Sequence, residues 1–550
     1  PGPAHTDTPT DAVPDGRPAR ETREEHKMNR IEMLTMVAGL AASASAQNTW
    51  TGAGDGTSWD DAANWSDGII PNNGATDVVI DDNPGGSAAV LLTTGRTIAS
   101  LRIDAGDSLT LDQGAGLTFN GDLTNDGSFF LNASNATIAS LNISFTGARL
   151  ITGNGELVFN DDPNNQIISN SALLTQAAGH TIRGAGRILA NSGGFENNGT
   201  VIAEGLSDLT LDPGSGFAFT NNGLLRAAGP GGLTFNAGNY DNNATIDVFD
   251  GSRLTVSGGA RIIGGTIATT GSGFVNSLNG AAYDAVTVAA GSNVLQAQSQ
   301  TANISNGLTN NGTWRLDSVN ATIALTQLAF AGDQTLGGTG QIVLSDDPNN
   351  TIAASNATVT QDTGHTIRGA GLILNNSGGL INNGTIIAEG DNTLTLNPGS
   401  GAAVTNNGIM RASGPGGLRL NDGLHINNST IEVADASTLA VAANAAVQGG
   451  TLLTTGSGVV DLLGGSRLRD LTIAGGSTVQ QRQSQNATAD GDIVNNGTWN
   501  LLAIDNTIAA TVLDFENDRL ITGNGQIVLS DDPNNLIRST DATLTNGADH

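Results

Sequence analysis

The segment ITGNGELVFNDDPNN, Ile151 to Asn165, returns as LGGTGQIVLSDDPNN from Leu336 to Asn350 and as ITGNGQIVLSDDPNN from Ile521 to Asn535. The offset is 185 residues both times. The same offset carries GHTIRGAG from Gly179 to Gly364, NNGT from Asn197 to Asn382, PGSG from Pro213 to Pro398 and GPGGL from Gly229 to Gly414. It also relates NDGSF at Asn125 to NNGTW at Asn310 and Asn495. A long tandem repeat is therefore the first fact about the chain, with copies at 101–285 and 286–470 and a third, truncated one at 471–550. The third copy stops at His550, the counterpart of His180 and His365, so a longer protein with an anchor or translocator beyond this point is expected.

A finer period lies inside each copy. Asn-Asn pairs fall at Asn197, Asn221 and Asn242, each followed by a short alternating stretch such as Thr200-Val201-Ile202-Ala203. Leu209-Thr210-Leu211 and Leu254-Thr255-Val256 read the same way. Coils of about 20–25 residues, each with two or three strands of about four residues and Gly or Asn at the corners, suit a parallel β-helix. The expected fold is all-β, a right-handed parallel β-helix in which stacking buries the inward Val, Ile and Leu that no single coil could bury alone. Corner asparagines in register would form amide ladders along the stack, and Gly would supply positive φ at the corners. At about 4.8 Å between paired strands the array would be on the order of 100 Å long. An array of immunoglobulin-like sandwiches is the alternative; it would need longer strands and domains of about 100 residues with a buried Trp in each.

Composition agrees with short strands and tight turns: 75 Gly, 13% charged and 4% aromatic residues in 550. Recurrent Leu, Ile and Val in alternation argue against disorder. The net charge of −30 and a single lysine, Lys27, exclude a basic nucleic-acid interface. The absence of cysteine excludes disulfides, thiolate metal sites and cysteine nucleophiles.

The start of the chain reads as export machinery. Met28-Asn29-Arg30, the apolar stretch from Met33 to Ala42 and Ala44-Ser45-Ala46 before Gln47 fit a signal peptide over 28–46, too short to span a bilayer as an anchor. Residues 1–27 then form an upstream extension, and 47–100 form a Trp-containing cap and first strands.

The stretch TWTGAGDGTSWDDAANWSDGIIPNNGATDVVIDD, Thr49 to Asp82, resembles the opening segment of bacterial autotransporter-like and sorting-signal-bearing surface proteins. GHTIRGAG, GGLINNGTIIAEG and NNGTW are similar to repeats of large β-helical exoproteins, including haemagglutinin-like passengers. That resemblance implies a secreted or cell-surface adhesin, stalk or matrix component. It implies no particular reaction, because such families share a scaffold.

Polysaccharide lyases and glycoside hydrolases also use β-helices, so an enzyme is the rival reading. It would need a unique cluster of carboxylates or basic groups in one groove, present in one copy and missing from its siblings. The densest carboxylates, Asp161-Asp162, recur as Asp346-Asp347 and Asp531-Asp532, always before Pro-Asn-Asn, which reads as a turn. Their hard oxygens, like those of Asp81-Asp82-Asn83-Pro84, would suit a loosely held Ca2+, although the iterated Gly-Asp nonapeptide of calcium-binding β-rolls is absent. No other cofactor is implied. His180 with Arg183 and His365 with Arg368 repeat, which points to a packing or corner role rather than a catalytic pair. His5 and His26 precede the signal, and His425 is expected at the surface. GNGEL and GAGRIL lack a Walker lysine. Trp50, Trp59 and Trp65 would cap the first coil or stack on sugar rings. The functional expectation is a long, weakly acidic face whose many equivalent sites gain avidity on a repetitive partner such as polysaccharide.

Overall fold

The computed structural model describes residues 46–81, 86–134, 140–442 and 444–550. The signal peptide over 28–46 lies outside this range except for its last residue, and the extension 1–27 and Asp82 to Pro84 lie wholly outside it.

The unit from Ala46 to His550 is a parallel β-solenoid of about 21 turns, each of about 22 residues. Among the described residues the one helical element is a 3-10 turn at Ala62–Asn64. Each coil contributes three short strands, and each strand pairs in parallel with its equivalent in the next coil. Ala218–Asn221 pairs with Gly238–Asn242, Leu224–Ala227 with Thr245–Val248, and Leu233–Phe235 with Arg253–Val256. We call the three stacks the first, second and third columns in that order.

The alternation seen in the sequence is the alternation of burial. Thr200–Ala203 and Thr245–Val248 both place every second side chain inside, as the period of two along a strand requires. The interior is a continuous stack: Leu209, Leu233 and Leu254 succeed one another, fully buried. Phe195 stacks on Phe219 with ring centroids 5.2 Å apart, and Phe235 on Tyr240 at 4.1 Å. At the N-terminal end Trp50, Trp59 and Trp65 are buried and meet edge to face, with Trp65 centred 5.0 Å from Trp50 and 4.8 Å from Trp59. Trp59 Nε1 donates to the Pro71 carbonyl and Trp65 Nε1 to that of Trp59.

The long repeat is not a whole number of coils. From Gln341–Leu344 to its counterpart Gln526–Leu529 the chain advances twenty-five strands, which is eight coils of three and one strand more. Equivalent elements of successive copies therefore stand in different columns. Leu123–Asn125 belongs to the first column. Its copy within Thr301–Asn310 belongs to the second, through Ala281–Val288 and Thr266–Thr269, and Ile493–Asn495 belongs to the third. This corrects the expectation of one long face bearing equivalent sites: each copy is turned by a third of a revolution against the one before it.

Candidate functional site: corners, turns and a charged patch

The Asn-Asn corners form two ladders. The first Asn of each pair points inward: Asn197 Nδ2 donates to Asn221 Oδ1 at 2.8 Å, and Asn221 Nδ2 to Asn242 Oδ1 at 2.8 Å. Copy two repeats this with Asn382, Asn406 and Asn427 at 2.7 and 2.8 Å. The second Asn of each pair makes an exposed ladder, Asn243 to Asn222 at 2.8 Å and Asn222 to Asn198 at 2.9 Å. Amides suit this use because each carries both a donor and an acceptor and can be linked end to end.

The histidines belong to the same corners. His180 is fully buried and its Nε2 lies 3.2 Å from Asn125 Nδ2, two coils away. His365 meets Asn310 at 3.2 Å, and His550 meets Asn495 at 3.0 Å. Burial holds His180, His365 and His425 down to about 4, so each is neutral at pH 7; Asp126 and Glu156 pull His180 weakly the other way. Beside His180, Arg183 bonds Glu156 Oε2 at 2.8 Å and Glu204 Oε1 at 2.6 Å, and these hydrogen bonds raise its pKa. In copy two Arg368 keeps Glu389, and Gln341 stands where Glu156 was. Neither pair joins a histidine to a carboxylate within hydrogen-bond reach.

His425 overturns its expectation. It is 3% exposed, and its Nε2 lies 2.7 Å from the Asn421 carbonyl oxygen. It stands where copy one has Tyr240, whose hydroxyl donates to the equivalent Asn236 carbonyl at 2.8 Å and to Leu211 at 2.7 Å. The repeat offset applied to His425 would have revealed this.

The acidic pairs stand at a bend between strands in copies two and three, and in copy one inside the irregular strand Glu156–Ile168, where the ladder register shifts on either side of Asp161. Asp161 Oδ1 accepts from Ser207 N at 2.7 Å and Asp346 Oδ1 from Asn392 N at 2.8 Å, two coils on. Asp162, Asp347 and Asp532 each accept from the amide two residues ahead, at 2.9, 2.9 and 2.8 Å. Asp531 is exposed beside the half-buried Asp532 in the last coils. The final Asn clamps the turn from inside: Asn165 Nδ2 donates to the Asp162 carbonyl at 3.0 Å and its Oδ1 accepts from Ala133 N at 3.2 Å. Among the described residues no group of three His, Asp or Glu side chains is placed to hold a metal ion. The tryptophans offer no ring to a sugar, since all three are buried in the cap.

One charged patch, where the second copy meets the third, is absent one copy earlier. Arg467 binds Glu516 through both nitrogens, at 2.9 and 3.0 Å, and reaches Asp490 at 3.2 Å, while Arg469 also pairs with Asp490. Arg538 with Asp514 at 2.8 Å continues it along the same column, while Arg482 with Asp461 at 3.0 Å lies in the first column, on a different face. The counterparts of Arg467, Asp490 and Glu516 one copy earlier are Ala282, Ser305 and Ala331. This is the copy-specific cluster that an enzyme reading requires, yet it lies on successive strands of one face and each of its carboxylates is held by a guanidinium. Its chemistry is cross-coil stitching, with no free base.

The sequence reading missed the protruding loops. Val319-Asn-Ala-Thr-Ile-Ala324 and Ile504-Asp-Asn-Thr-Ile-Ala509 are exposed throughout, Val319 to 75% and Ile504 to 81%. Both are held in shape: Gln298 Oε1 accepts from Val319 N and Asn320 N, and Asn349 Nδ2 donates to the Ile323 carbonyl. Gln483 and Asn534 repeat this in the next copy. The signal was available in the 185-residue offset between them, which also reaches SNATIA at Ser134 to Ala139, of which 135–139 lie outside the described residues. No family model, curated protein or solved structure matches the chain.

Proposed function

We propose that this chain is a non-enzymatic structural repeat protein, exported through the segment before Gln47 and serving outside the cell as a stalk, adhesin or matrix component. The observation that carries this reading is what its conspicuous polar groups do. Corner asparagines, His180, His365, His550, Asp161, Asp346 and the charged patch join one coil to another, while His425, Asp162, Asp347 and Asp532 fasten turns and strands within their own coil. A catalytic carboxylate needs an approachable acid or base with its pKa tuned to the reaction; here the carboxylates of the copy-specific patch, Asp490, Glu516 and Asp514, are paired with Arg467, Arg469 and Arg538. The resemblance of Thr49 to Asp82 to autotransporter-like openings supports export and the surface location.

The partner we favour is a neutral polysaccharide. A net charge of −30 opposes polyanions, and weak contacts at repeated sites are how an extended array gains strength. Incubating the purified chain with a panel of neutral and acidic polysaccharides tests this directly. Retention of neutral polymers without cleavage is the expected result; release of oligosaccharides would replace this reading with that of a β-helix enzyme, and retention of none would leave a plain spacer.

A further inference from the structure

We infer that the loops Val319–Ala324 and Ile504–Ala509 are equivalent contact points aimed in different radial directions, so that one chain links separate strands of a neutral polysaccharide rather than lying along one. The inference rests on the polysaccharide reading above and adds the site and its geometry.

The loops are the same element twice. Each follows a strand that ends against a Gln-built turn, each is pinned by an Asn amide from the next coil, and each carries two aliphatic side chains four residues apart. Val319 and Ile323 are 75% and 49% exposed, Ile504 and Ile508 81% and 50%. These aliphatic groups stay in water although hydrogen bonds fix the backbone that carries them. A floppy loop would fold them down; a pre-organised one presents them.

Their directions differ. The first loop leaves the strand Thr313–Asp317 in the third column and enters Thr326–Phe330 in the first. The second leaves Thr498–Leu502 in the first column and enters Thr511–Glu516 in the second. The loops thus stand at different corners of the three-sided coil, a third of a turn apart. With eight and a third coils between them they are separated along the axis by about 40 Å. Copies one repeat apart can therefore not grip one straight strand or one flat surface together.

The chemistry of the tips selects the occupant. The first has no charge, the second carries one carboxylate, Asp505, that accepts from Thr507 N and Oγ1, and both mix aliphatic groups with amide and hydroxyl groups, matching the mixed CH and OH surface of an uncharged sugar polymer. A second copy of this chain is disfavoured, because two aliphatics per tip fall far short of the roughly 800 Å2 per partner of a stable interface, and −30 on each chain repels.

The test uses the full chain with hydroxyethyl cellulose and a soluble mixed-linkage glucan, reading retention by affinity electrophoresis and cross-linking by light scattering. The wild type is expected to be retained and to raise scattering. Val319→Asp should remove the scattering while leaving weaker retention, and Val319→Asp with Ile504→Asp should weaken retention at least tenfold. Leu206→Asp is the control, since Leu206 is 76% exposed and its counterpart one copy on is Asp391; it should change neither readout, and circular dichroism should be identical for all variants. Retention of the wild type without scattering, or unchanged in the double variant, overturns this inference and leaves the polysaccharide reading standing. Failure of the wild type to be retained overturns both.

Discussion

At the scale of single residues, the side chains that attract notice as chemistry are structural. Asn221 shows how: it accepts from Asn197 and donates to Asn242, all three buried. Replacing it by Ala orphans groups on both neighbours, and an unsatisfied buried polar group costs about 1–3 kcal/mol. Asn221→Ala should therefore lower stability in urea by about 2 kcal/mol, whereas Asn222→Ala, in the exposed ladder, should stay within about 0.5 kcal/mol. The buried histidines give a pH signature. Their folded pKa of about 4 lies below the unfolded value, so the unfolded chain binds more protons between those limits. Stability is complete above about pH 6.5, falls as pH drops towards about 4 and then levels. His425→Tyr, which restores the residue of copy one, should shallow that slope in urea midpoints measured across pH 4–7. A slope unchanged by this substitution would mean that His425 is not buried as described.

At the scale of the element, turns and corners set the coil. In GHTIRGAG, Gly184 and Gly369 both have φ of +117°, and a Cβ would fall on the carbonyl oxygen of Phe159 or Leu344 in the coil beneath. Gly184→Ala should destabilise by more than about 3 kcal/mol, combining backbone strain with a clash against the stack; Gly116→Ala, with only ordinary contacts around it, should cost far less. The Asp-Asp-Pro-Asn-Asn turn carries its own hydrogen bonds at Asp161, Asp162 and Asn165. Chelation with EDTA should accordingly leave the thermal midpoint unchanged. A drop of several degrees, reversed by Ca2+, would show that these turns hold the ion after all.

At the scale of the whole array, the mismatch between repeat and coil decides how copies face their surroundings. Small tags at Thr322 and Thr507, both exposed and equivalent, should appear in electron micrographs about 40 Å apart along the axis and on different edges; tags on one edge would contradict the strand register. The sequence by itself determined the coil: alternating Leu, Ile and Val specify strands, and Gly and Asn at fixed spacing specify corners, because both signals act within one coil and its neighbours. It also determined the corner role of the repeated histidines, and would have placed His425 inside had it been aligned on Tyr240. Two things only the tertiary structure decided. One is that Arg467, Arg469, Asp490 and Glu516, spread over fifty residues, neutralise each other, since ion pairing depends on which strands stack. The other is direction: a 185-residue period states how often a feature recurs, but the face on which it recurs depends on the number of strands per coil, and twenty-five is not divisible by three.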